Sequence, residues 1–508
     1  MLAKVLSAAV VGLDAHLIDV EVDIGGGLPQ FSIVGLPDAT VRESRDRVRA
    51  ALKNSGFTFP VKKITVNLAP AGLKKEGSGL DLAIAIGILV AEETLSPEAV
   101  AGRVFIGELS LDGRVKAVAG ALSIALATGK GRPLLLPFEN ASEAAVVEGV
   151  AVYPVRTLPE AVEFLRDTQA VSAFVLNGDS LTAPSAIDEE DFLEVKGQAQ
   201  AKRALEVAAA GGHNILLIGP PGGGKTMLAR RLPGILPPLA RDEAIESSRV
   251  HSVAGLLPAG RPLLASRPFR APHHSISDAG LVGGGTVPKP GEVSLAHCGV
   301  LFLDEILEFK RGVLEGLRQP LEDGTVVLTR VNASLKYPAR FMLVAAMNPC
   351  PCGYYGDRTR QCLCTPHQIR RYRSRLSGPL LDRLDIHLEV PAVPIRELTG
   401  EGGEESSSVV RGRVAEARAR QVARYAKERI HCNAHLKPRH LKRYCRISPA
   451  GKELLEQVVS RLGLSARAYG RILRVARTIA DLVAADEIDA VHLAEAVQYR
   501  ALDRNLDT

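Results

Sequence analysis

The chain has 508 residues, 46% of them hydrophobic and 24% charged, with a formal net charge of +6, which is enough for three or four domains that each bury a core. The longest apolar run, Leu82 to Ala91, is too short to cross a bilayer, and the early apolar stretch Leu6 to Leu13 ends at Asp14 without a basic head, so neither a membrane span nor a signal peptide is expected. Seven cysteines in a large chain without an export signal fit a reducing cytoplasm and argue against a disulfide-stapled secreted protein.

Residues 1–167 read as an α/β domain. Period-two runs such as Ile18 to Ile24, Ile64 to Leu68 and Val104 to Leu109 alternate with helical stretches at Ala39 to Ser55 and Leu80 to Ala91. The pieces Lys75-Glu76-Gly77-Ser78-Gly79-Leu80-Asp81, Ile106-Gly107-Glu108-Leu109 with Gly113-Arg114-Val115, and Leu136-Pro137 with Asn140 resemble the Lon protease domain. Lon-type hydrolysis needs a serine activated by a lysine of lowered pKa. The position matching the nucleophile is Gly79, the lysine position falls near Ser123, and Ser78, one residue away, has no obvious base. The resemblance therefore implies a Lon-like scaffold without peptidase chemistry, used for assembly or substrate contact.

Residues 168–190 mix small, polar and proline residues and read as a linker. An ATPase core is expected over 191–397. Val195-Lys196-Gly197-Gln198 opens a helix to about Ala210, which delivers the chain to a buried strand, Ile215 to Ile218. A neighbouring glycine-rich turn follows: Gly219, Pro220, Pro221, Gly222, Gly223, Gly224, Lys225 and Thr226. This is G-x-x-x-x-G-K-[ST] between a strand and a helix. Glycines let backbone N–H groups curl around phosphates, Lys225 neutralises phosphate charge, and Thr226 offers a hydroxyl to Mg2+. ATP or GTP binding follows from that chemistry.

The second half of such a site is expected on a neighbouring parallel strand. Val300 to Leu303 supplies it, closed by Asp304 for the Mg2+ shell and Glu305 to polarise the attacking water, and a carboxylate at 305 argues for hydrolysis. A third buried strand, Phe341 to Ala346, leads to Asn348, placed to orient water. Between them, Gly324 to Arg340 carries two alternating runs around Asn332-Ala333, the pattern of a hairpin, with Arg330 and Lys336 as candidate phosphate contacts. An ordinary solvent-facing hairpin is the other reading. His273 and His274 are consecutive, so on a strand they would point apart, and a packing or loop role is preferred to metal binding.

Cys350, Cys352, Cys362 and Cys364 lie in one short loop, and four thiolates suit a structural, tetrahedral Zn2+; a reduced loop and a redox-sensitive pair remain the other readings. Arg370, Arg371, Arg373 and Arg375 crowd around Tyr372. After a Gly, Glu and Ser linker at 398–410, residues 411–446 carry twelve Lys or Arg against two Glu. That is either an electrostatic footprint for nucleic acid or a solvated lid helix whose arginines line a subunit interface. His431, Cys432, His435 and Cys445 are a weaker metal candidate. Helices at Pro449 to Leu462, Ala466 to Ala484 and Ala490 to Tyr499 complete an all-α lid over 411–508.

Pro272-His273-His274-Ser275, Leu281-Val282-Gly283-Gly284-Gly285, Pro290-Gly291-Glu292-Val293-Ser294-Leu295-Ala296-His297, Asn348-Pro349 and Ser377-Gly378-Pro379-Leu380-Leu381-Asp382-Arg383-Leu384-Asp385 together resemble the magnesium-chelatase-like AAA+ ATPases. With the Lon-like domain in front and Leu464-Ser465-Ala466-Arg467 to Asp481 behind, the chain is identified as a member of their ComM (YifB-like) branch. The resemblance implies an N-terminal Lon-like α/β domain, a P-loop AAA+ parallel-sheet core and a C-terminal all-α lid. It implies an arginine finger at Arg383 acting on the neighbouring subunit's nucleotide, a lid arginine at Arg467 (Arg471 as the fallback) contacting nucleotide in cis, and a hexameric homo-oligomer. It further implies single-stranded or branched DNA as partner, in branch migration during natural transformation or recombination. A magnesium-chelatase-type motor that remodels a protein partner is the alternative.

Overall fold

The computed structural model describes residues 1–167, 170–176, 190–258, 260–285, 288–330, 333–357, 360–393, 404–428, 430–462 and 465–500; most of the expected linker at 168–190 lies outside them. The amino-terminal unit is built on a seven-stranded mixed sheet ordered Gln30–Val34, Lys63–Ala69, Asp14–Gly25, Leu2–Val11, Val104–Phe105, Pro133–Pro137, Ala151–Val155. Its long antiparallel hairpin pairs Leu2 with Asp23 through to Val11 with Asp14, and the helix Asp81–Ala91, buried at every position, lies across it. Its unbroken apolar run is explained by that burial: Gly87 sits so close that a Cβ there would fall 2.6 Å from Val22 Cγ2.

The core is a five-stranded, all-parallel sheet ordered Phe269–Arg270, Val300–Leu303, Met342–Met347, Ile215–Ile218, Ile386–Glu389. The three central strands, Val300–Leu303, Met342–Met347 and Ile215–Ile218, are short continuous apolar runs because both faces are covered. Ile215, Leu217, Phe302 and Val344 share a core with Ala199–Gly211, Lys225–Ile235 and the lid. Leu216, Leu301, Leu303 and Leu343 pack on Leu307, Val313 and Leu380. One expectation is corrected here: Val300–Leu303 is not the neighbour of the phosphate-loop strand, since Met342–Met347 pairs with both and separates them. A buried apolar run shows that it is a central strand and carries no record of which strand lies beside it.

The expected hairpin is present as Thr325–Arg330 paired with Ala333–Pro338, in a register of Thr325 with Pro338. Its tip at 331–332 and the Arg330 side chain lie outside the described residues. Leu335 packs on the turn of the first hairpin, where a Cβ at Gly12 would meet Leu335 Cδ2 at 3.3 Å. The helix Arg241–Ala254 makes the other bridge between the two units. Arg249 donates to the Leu13 carbonyl at 2.8 Å and to Ser123 Oγ at 3.3 Å, and Ser252 donates to the buried Glu143 carboxylate.

The carboxyl-terminal unit is helical: Ser407–Arg424, Pro438–Tyr444, Pro449–Leu462, Ala466–Leu482 and Ala490–Gln498. Its first helix starts inside the stretch 398–410 expected as linker. Ser406 caps it, accepting from the Val409 N–H, while Glu404 and Glu405 pair with Lys202 and Arg413, so a polar sequence is fixed by ion pairs that composition does not reveal. No helix among the described residues is long and apolar enough to cross a membrane.

Candidate nucleotide site at the phosphate loop

The phosphate loop leaves the carboxyl end of Ile215–Ile218 and passes into Lys225–Ile235. Gly222 and Gly224 adopt φ of 77° and 82°, the left-handed region that glycine enters without cost. Gly219 runs so close to the next strand that a Cβ would sit 2.0 Å from the Val390 carbonyl. Gln198, itself at φ 53°, donates from Nε2 to the Gly223 carbonyl at 2.8 Å. Its part in shaping the loop was not evident from sequence, where Gln198 reads only as a helix start.

Lys225 is 9% exposed. Its ammonium donates to the Gly219 and Pro220 carbonyls at 2.7 and 2.9 Å and to Asn348 Oδ1 at 3.2 Å. Burial holds it below its ordinary pKa, against the attraction of Asp304 and Glu305. Thr226 Oγ1 donates to Asp304 Oδ2 at 2.7 Å, a hydroxyl and a carboxylate of the hard-oxygen kind that Mg2+ takes with phosphate oxygens. The Glu305 N–H donates to Asp304 Oδ1 at 3.0 Å. Glu305 is exposed and held at φ 49°, strain of a sort that concentrates at functional sites. Lys225, Thr226, Asp304, Glu305 and Asn348, from three strand ends, thus meet at one edge of the sheet.

Arg383 does not join them. It follows the helix Gly378–Leu381 and precedes the strand Ile386–Glu389, and its carbonyl accepts from Asn214, the residue before the phosphate-loop strand. It therefore stands at the amino edge of the sheet. Its side chain is 19% exposed and pairs with Glu322. Burial, then the like charges of Arg318, Arg467 and Arg471, lower its pKa. Arg467 and Arg471 both pair with Asp382, at 3.1 and 3.2 Å. Arg467, expected to contact nucleotide in cis, and its fallback Arg471 thus lie beside Arg383. Sequence gives the spacing on the lid helix and not the edge that helix faces.

The four cysteines converge. Cys350 Sγ lies 3.3 Å from Cys352 Sγ and 3.7 Å from Cys362 Sγ, the latter pair are 3.6 Å apart, and all four sulfurs lie within 4.8 Å of one another. A tetrahedron of sulfurs about 2.3 Å from Zn2+ has edges of about 3.8 Å, so the set fits that ion. The second candidate does not assemble: Cys432 reaches His435 at 3.3 Å, without His431 or Cys445 among the clustered donors of the described residues. His273 and His274 lie off any strand with rings 4.0 Å apart, so they do not point apart as strand geometry would dictate, and His273 engages Ser275.

Much of the basic run 411–446 is committed inside the chain. Arg413 pairs with Glu206 and Glu405, Arg424 with Asp481, Arg443 with Glu428, and Arg418 donates to the Ala209 carbonyl. Arg373 and Arg375 are likewise engaged, with the Pro349 carbonyl and Glu308. Arg370 and Arg371 are exposed. In the amino-terminal unit Ser78 donates to Glu108, a partner the sequence did not suggest. Lys75 is buried and bonded to the Gly35 and Pro70 carbonyls, and the Ser123 position faces Arg249.

Comparison with known proteins agrees with this arrangement. Residues 191–398 match the family model described as magnesium chelatase, subunit ChlI; residues 404–500 match its C-terminal model, and 20–140 match the model for subunit ChlI of Mg-chelatase. The chain is 48% identical over 510 residues to Competence protein ComM of Haemophilus influenzae and 47% identical over 508 residues to the YifB protein of Salmonella typhimurium, each covering 99% of this chain and 98% of the relative. It is 29% identical over 182 residues to the magnesium-chelatase 38 kDa subunit of Acidiphilium rubrum, covering 31% of this chain and 52% of that subunit. With a parallel-sheet core that ends in a phosphate loop, a helical carboxyl-terminal region and near-complete coverage of these relatives, the chain belongs to the ComM/YifB-like family of magnesium-chelatase-like AAA+ ATPases.

Proposed function

We propose that the protein is an ATP-hydrolysing, ring-forming motor that moves DNA, acting in branch migration during uptake or recombination of DNA. The observation that carries this reading is the division of the site. Lys225, Thr226, Asp304, Glu305 and Asn348 meet at the carboxyl edge of the sheet, while Arg383 lies at its amino edge. Strands rise about 3.3 Å per residue, so four residues separate the edges by about 13 Å. An arginine so placed serves a neighbour's nucleotide, and turnover then requires an oligomer, for which six subunits is the family's arrangement.

The Gly219 to Gly224 backbone cradles phosphates, and Lys225 exchanges its loop carbonyls for phosphate oxygens. Thr226 and Asp304 would hold Mg2+, whose charge neutralises the triphosphate when both are bound. Glu305 and Asn348 orient and polarise the attacking water, and Arg383, with Arg467 beside it, meets the γ-phosphate across the seam. Cys350, Cys352, Cys362 and Cys364 would hold a structural Zn2+ with all four positions filled, outside the chemistry. The amino-terminal unit acts as a scaffold without peptidase activity. The DNA assignment draws on the competence name of the Haemophilus influenzae relative.

The likeness to a magnesium-chelatase subunit supports a second reading, a motor that remodels a protein partner. The two separate in one experiment: turnover of the purified chain with and without branched DNA, and migration of a DNA junction by wild type against Lys225→Ala. DNA-stimulated turnover and junction movement lost in Lys225→Ala are expected. Turnover indifferent to DNA would favour the protein-remodelling motor.

A further inference from the structure

We infer that the four-cysteine knuckle is the outer wall of the phosphate loop, so that nucleotide affinity depends on a metal that never touches nucleotide. This deepens the zinc reading above and rests on it, but not on the DNA reading. The segment from Asn348 to Gly353 meets the phosphate loop at both ends. At one end Asn348 Oδ1 accepts from Lys225 Nζ at 3.2 Å. At the other, Gly353, at φ 86°, packs so tightly on the loop that a Cβ would lie 2.6 Å from Pro221 Cδ and 2.9 Å from its Cγ. Two of the four sulfurs, Cys350 and Cys352, lie between these contacts.

Cys350 is fully buried, and the preceding Pro349 carbonyl accepts from Arg373 Nε at 3.0 Å. The backbone N–H of Cys364 donates to Cys362 Sγ at 3.4 Å, so the second pair of sulfurs is held in place by the local backbone. At 3.3 to 3.7 Å the sulfurs are too far apart for disulfides and close to the edges of a Zn2+ tetrahedron. A bound ion ties Cys350 and Cys352 to Cys362 and Cys364 across the loop. Without it, the six residues that set Pro221 and the Lys225 ammonium are tied to the rest of the loop by packing, the Arg373 contact and the Gly353 N–H to Cys350 carbonyl bond, none of which joins them to Cys362 and Cys364.

The test uses the full chain purified under reducing conditions. Elemental analysis should find about one Zn2+ per chain, and Co2+ exchanged into the site should give the absorption bands of tetrahedral thiolate ligation. Both should vanish in the double variant Cys362→Ser/Cys364→Ser. Metal-stripped wild type, returned to Mg2+ buffer, should bind a fluorescent ATP analogue about tenfold more weakly, equivalent to about 1.4 kcal/mol, and recover when Zn2+ is restored. Gly353→Ala, which leaves every thiol in place, should keep its metal yet bind the analogue more weakly, guarding against a cysteine variant that simply misfolds. No Zn2+ and no Co2+ bands would overturn the metal site itself. Metal present with affinity unmoved by its removal and by Gly353→Ala would overturn the coupling. Neither result depends on whether DNA stimulates turnover.

Discussion

The side-chain amide of Asn214 donates to the backbone carbonyl of Arg383 at 2.9 Å, which fixes the arginine at the start of the strand whose end carries the phosphate loop. An arginine held there has no route to its own chain's γ-phosphate. Arg383→Ala should therefore lower turnover by about 10³-fold or more while leaving affinity for the ATP analogue close to wild type. Mixing it with Lys225→Ala should restore part of the turnover, because some seams then pair an intact Lys225 with an intact Arg383. Two inactive variants that stay inactive when co-assembled would sink the idea of a shared site.

Glu305 differs from its neighbour Asp304 in what it touches. Asp304 is engaged by Thr226 and by the Glu305 N–H, whereas the Glu305 carboxylate is exposed in a left-handed backbone conformation. Removing its charge should leave binding and abolish the chemical step. Glu305→Gln is expected to bind the ATP analogue as wild type does, with turnover down by about 10² to 10⁴-fold, the usual contribution of a positioned base. Comparable loss of binding and turnover would instead assign Glu305 to holding nucleotide.

These local features are the ones the sequence displays. Ile215 to Ile218 and Val300 to Leu303 are continuous apolar runs because a parallel sheet with both faces covered leaves no solvent side. The glycines of the phosphate loop are explained by backbone conformation alone. What depends on distant partners is not legible. The order of strands placed Met342–Met347 where Val300–Leu303 was expected. Arg467 proved to face Asp382, a fact of how the lid docks. The basic count of 411–446 resembles a nucleic-acid surface until Glu206 and Asp481, far away in sequence, and Glu405, just before the run, are seen to hold Arg413 and Arg424.

One of those partners should matter greatly for stability. Asp481 is fully buried and accepts from Arg424 at 3.0 Å, Arg477 at 3.1 Å and Asn433 at 2.9 Å. Asn433 and His213 both reach Thr478, and His213 continues to Asp385, so the network ties the lid to the core two residues from Arg383. Asp481→Ala leaves the buried Arg477 without its carboxylate and should cost about 3–5 kcal/mol. Hydrogen exchange should show the loss in Ser407–Arg424 and Ala466–Leu482 before the sheet. The double variant Asp481→Leu/Arg477→Met should be less damaged than Asp481→Ala. If it is equally damaged, packing and not the charge pair holds the lid.

With Arg413, Arg418, Arg424 and Arg443 engaged inside the chain, an exposed cation to test for a nucleic-acid contact stands on the hairpin. Along Ala333–Pro338, side chains alternate: Leu335 turns inward onto Gly12, and Lys336 is exposed. An exposed lysine that meets a phosphate releases a counterion on binding, so each such contact adds about 0.9 to the steepness of affinity against salt for duplex DNA. Lys336→Ala should weaken binding to unrelated DNA sequences alike and make the plot of log affinity against log salt shallower by about that amount. Arg413→Ala should leave the slope unchanged, since Arg413 is held by Glu206 and Glu405, and should loosen the contact between lid and core. If the slope responds to Arg413 and not to Lys336, the DNA path runs over the lid surface and not along the hairpin.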